Sequence, residues 1–166
     1  GYYLEIEEQQ DETTCWWTSM GVPMMFSDPE EPTSQQLAYV KGLFESFEQA
    51  LWAKDWSEST GYPKYIDVDS FVDYYIVQEL TKNIDGNLRK SSFITKERGK
   101  KMEMYHLWDF DLNLGNCGYF WGDVGNGPEN FWIKLDKWYP HLFEDPVFVA
   151  KVQDRWAELL PEFRKI

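Results

Sequence analysis

The sequence is short of cysteine and histidine, with two of each in 166 residues. Two thiols, Cys15 and Cys117, cannot make a disulfide framework; they leave either one bridge or two buried free thiols, and the second asks less of the fold. Two histidines, His106 and His141, give neither a zinc-ligand spacing nor a Ser-His-Asp order. Positive charge is also scarce. Sixteen Lys and Arg stand against 29 Asp and Glu, for a net charge of -13. That balance argues against a nucleic-acid surface, because phosphate binding needs a basic face. It would also repel a nucleotide unless a cation and a local basic patch intervened. No apolar run approaches the ~20 residues of a membrane-spanning helix. No targeting segment, internal repeat or low-complexity tract is visible in this stretch. Gly1 opens directly into a strand-like run, so the expectation is a single domain over residues 1–166 cut from a longer protein.

What is present in quantity is aromatic: nine Trp, ten Tyr and eleven Phe. Tyr2-Tyr3-Leu4-Glu5-Ile6-Glu7 alternates like a strand with one wet face. Thr13 to Thr18, β-branched and aromatic, is expected to pair with it as an N-terminal hairpin. Gly21 to Phe26 reads as a third extended piece, which Pro23 would confine to an edge. Thr33-x-x-Gln36 fits a capping box, and Leu37, Val40, Phe44, Phe47 and Leu51 then form one apolar helical stripe, with Lys41, Glu45 and Glu48 opposite. Asp67 or Asp69 is expected to cap a second helix bearing Phe71, Tyr74, Tyr75, Val77 and Leu80. An EF-hand reading of Asp67-x-Asp69 fails for want of a glycine at loop position six. Asp145-Pro146 starts a third helix, with Val149, Val152 and Trp156 inward and Pro161 at its end.

The chemistry concentrates between Asn83 and Asn116. Asp85 follows the second helix beside Gly86. Ser91 to Lys96 and Met102 to Trp108 then read as the arms of a hairpin around Glu97-Arg98-Gly99-Lys100-Lys101. Each arm is about 20 Å long, so the return arm carries Asp109 back towards Asp85. Asp109 and Asp111 share a face if the strand persists that far. Trp108, Phe110, Leu112 and Leu114 suggest an apolar neighbourhood in which an unpaired charge is expensive. Carboxylates so gathered call for a proton or a cation, and an oxygen-only donor set favours magnesium, manganese or calcium over zinc. Arg89 and Lys90 are the nearest positive charges, suited to the carboxylates or to nucleotide phosphates. Asp85-Gly86-Asn87 equally suits an ordinary turn.

The segments Ile66 to Tyr75, Asn83-Ile84-Asp85-Gly86, Trp108-Asp109-Phe110-Asp111 and Gly115-Asn116 together resemble the spore-coat CotH kinase family. The resemblance runs from Gly1-Tyr2-Tyr3-Leu4-Glu5 to Arg155-Trp156 and is closest to versions in secreted bacterial proteins. It implies an atypical protein kinase that transfers phosphate from ATP to a Ser or Thr hydroxyl of a protein, and an extracellular or cell-surface address. By the same resemblance, Asp85 matches the catalytic aspartate and Asp109 the metal-binding aspartate of a DFG-like motif. Asp111 stands where the family has Asp or Asn. The cofactor implied is ATP with Mg2+, with Mn2+ or Ca2+ as substitutes. The family's nucleotide-covering loop and its lysine have no counterpart here, so this stretch alone is expected to bind ATP weakly.

The expected fold is α+β: three main helices, an N-terminal hairpin and a central hairpin carrying the acids, corresponding by the resemblance to the helical lobe of a kinase. Two other functions fit the same sequence. One is a non-catalytic surface module that binds glycan or protein through Trp16, Trp17, Trp121 and Trp132. The other is a degenerate kinase that keeps the fold without turnover. The glycine- and aromatic-rich stretch from Gly115 to Asn130 is expected to be a long loop beside the site.

Overall fold

A computed structural model describes residues 1–8, 14–117 and 127–165. Five strands form one antiparallel sheet: β1 (Tyr2–Ile6), β2 (Trp16–Trp17), β3 (Pro23–Asp28), β4 (Ser92–Lys96) and β5 (Met102–Met104), in the order β2-β3-β1-β4-β5. Four α-helices complete the described residues: α1 (Ser34–Trp52), α2 (Val68–Thr81), α3 (Tyr139–Leu142) and α4 (Pro146–Phe163). The fold is therefore α+β, as expected.

The expected N-terminal hairpin is corrected. β1 does not pair with the tryptophan strand; it lies between β3 and β4, with Leu4 opposite Phe26 on one side and Ile94 on the other. The tryptophans form a two-residue edge strand on β3. Pro23 is not on an edge strand, but it is the first residue of β3, where a missing N–H costs no ladder bond. The two hairpins expected separately are thus one sheet. Its inner face, with Leu4, Ile6, Met24, Phe26, Ile94, Met102 and Met104, joins the core built by the helices.

The helix starts are as the sequence indicates, because each is set by residues within four positions. Thr33 and Gln36 complete a capping box on α1. Asp67 accepts from the Ser70 N–H at 3.0 Å, and Asp145 from the Val147 N–H at 2.8 Å. α4 departs slightly, running through Pro161 to Phe163. Glu48 departs more. Expected on the wet face of α1, it is 1% exposed and accepts hydrogen bonds from Trp138 Nε1 (2.7 Å), the Met20 N–H (2.9 Å) and Ser19 Oγ (2.5 Å). Three donors are what allow a carboxylate to sit there. Trp138 itself packs on Phe44, Phe47 and Phe71, so the indole ties α1, α2 and α3 into one block. The Tyr62 hydroxyl donates to Asp145 at 2.7 Å inside the core, which anchors the start of α4. Cys15 is a free thiol of intermediate burial, and Cys117 is buried.

The β4–β5 hairpin forms as expected, with Ile94 opposite Met104 and Lys96 opposite Met102. Gly99, at φ +77°, takes the left-handed turn position that glycine adopts without strain. The open edge of β5 is closed by the start of α2. The Met102 carbonyl accepts from the Asp67 N–H at 2.8 Å, and the Met104 N–H donates to Ser70 Oγ at 3.2 Å.

Candidate active site

β5 ends at Met104, and that changes how the acids come together. After one last sheet bond, from the Tyr105 N–H to the Phe93 carbonyl (3.1 Å), the chain leaves the sheet. Asp109 has φ +58° and Asp111 begins a turn, so strand alternation does not set their directions. The expected apolar surroundings are corrected too. Asp109 and Asp111 are exposed, Trp108 is 61% exposed and Leu114 76%.

What gathers the acids is a lacing of the turn after β5 onto the loop after α2. α2 stops at Lys82, which adopts a left-handed cap at φ +50°. The Ile84 N–H then donates to the Leu112 carbonyl at 3.3 Å, and the Leu114 N–H to the Thr81 carbonyl at 2.7 Å. Asn83, fully buried, donates from Nδ2 to the Asp109 carbonyl at 3.2 Å. Ser91 Oγ donates to Asp109 Oδ2 at 3.1 Å. Asn116 Nδ2 donates to the Asp111 carbonyl at 2.7 Å.

The Asp85 loop is held from below by α2. The buried Tyr74 hydroxyl donates to the Gly86 carbonyl at 2.9 Å and lies 2.6 Å from Ser92 Oγ. Burial, first of all, raises its pKa, so it remains a hydrogen-bonding phenol rather than a charge. Trp132 Nε1 donates to the Ile84 carbonyl at 3.0 Å. Gly86 is required by a close approach: a Cβ there would sit 2.3 Å from Gln78 Oε1, and Gln78 is fully buried.

The electrostatics show the result. The Asp85 carboxyl is raised above the ordinary carboxylate range, chiefly by burial. Lys90 opposes the shift, while Asp109, Asp111 and Glu7 add to it. Asp109 and Asp111, named from the sequence, are thus close enough to act on Asp85, with Lys90 as the nearby cation. Glu7 was missed by sequence reasoning. It follows β1, whose Ile6 lies opposite Ser92, and so the end of β1 comes beside Ser91. Its only sequence signal would have been the pairing of β1 with β4, across 86 positions of chain. Arg89 is engaged elsewhere: Nε and Nη2 contact Asp136 Oδ2 at 2.9 Å and 2.8 Å, and Asn87 Nδ2 joins them at 3.2 Å. That cluster fastens the loop to the segment before α3.

The donor set suits a hard divalent ion, being all oxygen. One further observation points the same way. Asn83 Oδ1, a buried carbonyl oxygen beside Asp109, accepts no hydrogen bond from the described residues. Yet among the described residues no three His, Cys, Asp or Glu side chains are grouped so as to hold a metal by themselves.

Of the tryptophans considered for glycan stacking, Trp16 packs on Phe26 and Phe44, and Trp132 is the indole under Ile84. Trp17 is 54% exposed. Trp121, and most of the loop expected between Gly115 and Asn130, lie outside the described residues. His106 is exposed and places Nδ1 against the Tyr3 hydroxyl. No helix among the described residues is long and apolar enough to cross a membrane.

A model of the family described as CotH kinase protein matches residues 1–165. Neither a search of curated proteins nor a search of solved structures finds a match.

Proposed function

The chain belongs to the CotH kinase family, and from that premise we propose metal-dependent transfer of the γ-phosphoryl group of ATP to a Ser or Thr hydroxyl of a protein substrate. The observation that supports it best is the lacing of the Asp109 turn onto the loop that carries half-buried Asp85, through Asn83 and Ser91.

In this reading Asp85 orients the acceptor hydroxyl and takes its proton as the new oxygen–phosphorus bond forms. The bond from the γ-phosphorus to its bridging oxygen breaks, and ADP leaves. A carboxylate with raised proton affinity suits that step better than an exposed one. Asp109 holds the cation, and Asp111 assists directly or through water. Lys90, beside Asp85, offsets nucleotide charge in a chain with net charge -13. Arg89 contributes by holding the loop through Asp136, with its exposed edge left for phosphate. When bound, Mg2+ carried on the nucleotide phosphates would neutralise charge on the transferring group. Ribbon and loop then supply positioning, which is most of what phosphoryl transfer asks of a protein.

The test is transfer of labelled phosphate from ATP in the intact protein, with and without Mg2+. Asp85→Ala and Asp109→Ala should each abolish it; unchanged transfer in both would reject the roles assigned. A non-catalytic surface module is the second reading, favoured by the exposed Trp17 indole. Glycan or protein binding lost on Trp17→Ala, with no heat of ATP binding, would favour it.

A further inference from the structure

We infer that Ser91 is a positioning residue for Asp109, holding that carboxylate ready for the cation through its Oγ–Oδ2 hydrogen bond; the inference rests on the phosphoryl-transfer reading above.

Ser91 and Asp109 are both non-glycine residues in the left-handed region, at φ +48° and +58°. Each conformation costs about 1–2 kcal/mol for an L-residue. Glycine would avoid the cost at either place but would provide neither hydroxyl nor carboxylate. The strained pair meets in one bond, Ser91 Oγ donating to Asp109 Oδ2 at 3.1 Å. Asp109 is exposed, so packing does not fix its side chain. Asn83 holds its carbonyl at 3.2 Å, which fixes the main chain but not the carboxylate. Among the described residues, Ser91 is the one side chain that donates to that carboxylate. The hydroxyl takes one of about four acceptor positions on the carboxylate and leaves the rest for a cation. Ordering a ligand before the ion arrives is the usual contribution of such outer partners, and losing one typically costs 10–100-fold in metal affinity. Ser91 also lies at the end of the Asp85 loop, so the same bond holds the two acids in register.

Ser91→Gly separates positioning from a structural role, because glycine takes a left-handed φ without strain while removing the hydroxyl. In the intact protein, Mn2+ affinity is measured in the presence of a non-hydrolysable ATP analogue, alongside the melting temperature. The expected result is Mn2+ binding about tenfold weaker, with melting unchanged or higher. Ser91→Asn should restore most of the affinity, since asparagine tolerates this φ and carries an amide donor. Ser91→Gly binding Mn2+ as tightly as wild type would overturn the inference and leave the phosphoryl-transfer reading standing. Wild-type protein that binds no Mn2+ at all would overturn both. Failure of Ser91→Asn to restore affinity, with its melting intact, would also count against hydrogen-bond donation at position 91 as the operative feature.

Discussion

The helical block around Trp138 and the acidic end of the sheet are built on opposite rules. Around Trp138 the buried acids are matched: Glu48 has three donors, and Tyr62 donates to Asp145. At the acidic end, like charges face one another. Buried amide oxygens on Asn83 and Asn87 find no donor among the described residues, and five of the eight described non-glycine residues with positive φ fall between Lys82 and Leu114. Strain and unmatched polarity persist only where surrounding structure imposes them, and they cluster where a ligand is handled. The block stabilises; the acidic end is held in a costly arrangement by the block.

That contrast can be broken most sharply at Trp138. Trp138→Ala removes the indole shared by three helices and strips a donor from buried Glu48. It should cost about 3–5 kcal/mol and be seen as loss of cooperative unfolding in urea. Asp109→Asn should do the reverse. Folding stays near wild type while phosphoryl transfer at fixed Mg2+ drops at least tenfold, and raising Mg2+ restores part of the rate. Added Mg2+ should not rescue Asp85→Ala, because the loss there is of a base.

Gly86→Ala sits on the boundary between the two regions. Its methyl group would strike Gln78, at a cost of about 1–3 kcal/mol, and the displaced Asp85 should lower transfer by more than the lost stability explains. Denaturation and initial rates on the same preparation separate the two effects.

The smallest effect is in the pH dependence. Burial holds the Asp85 carboxyl above its unfolded value. Between those two values the folded chain keeps a proton that the unfolded chain has released, so stability falls as pH rises through that window. Above that window the penalty is complete. Asp85→Asn should therefore melt higher than wild type at neutral pH, by about 1–3 °C, and lose that advantage in acid. An Asp85→Asn protein that melts lower at pH 7 would contradict the assigned strain.

The same contrast explains what could be read in advance. The caps at Thr33, Asp67 and Asp145 and the β4–β5 hairpin depend on residues a few positions apart, and sequence carries those directly. The neighbours of β1 are not legible, because alternation reports which face is wet and not which strand lies beside it. Glu48 looked solvated, since its partner Trp138 is 90 positions away. Asp85 and Asp109 were legible as candidates, but their means of meeting was not. It depends on asparagine and serine side chains bracing left-handed turns rather than on a strand that continues.

The central claim is that Asp109 and Asp111 hold one cation with Asp85 beside it as the base. The most direct measurement is a Mn2+ titration of the intact protein, with a non-hydrolysable ATP analogue, followed by carbon NMR of labelled aspartate carboxyls. The Asp85, Asp109 and Asp111 signals should broaden first and together, at concentrations that leave Asp67, Asp69 and Asp73 sharp. Broadening that spreads evenly over the acidic surface, or that begins at Asp67 and Asp69, would contradict the account.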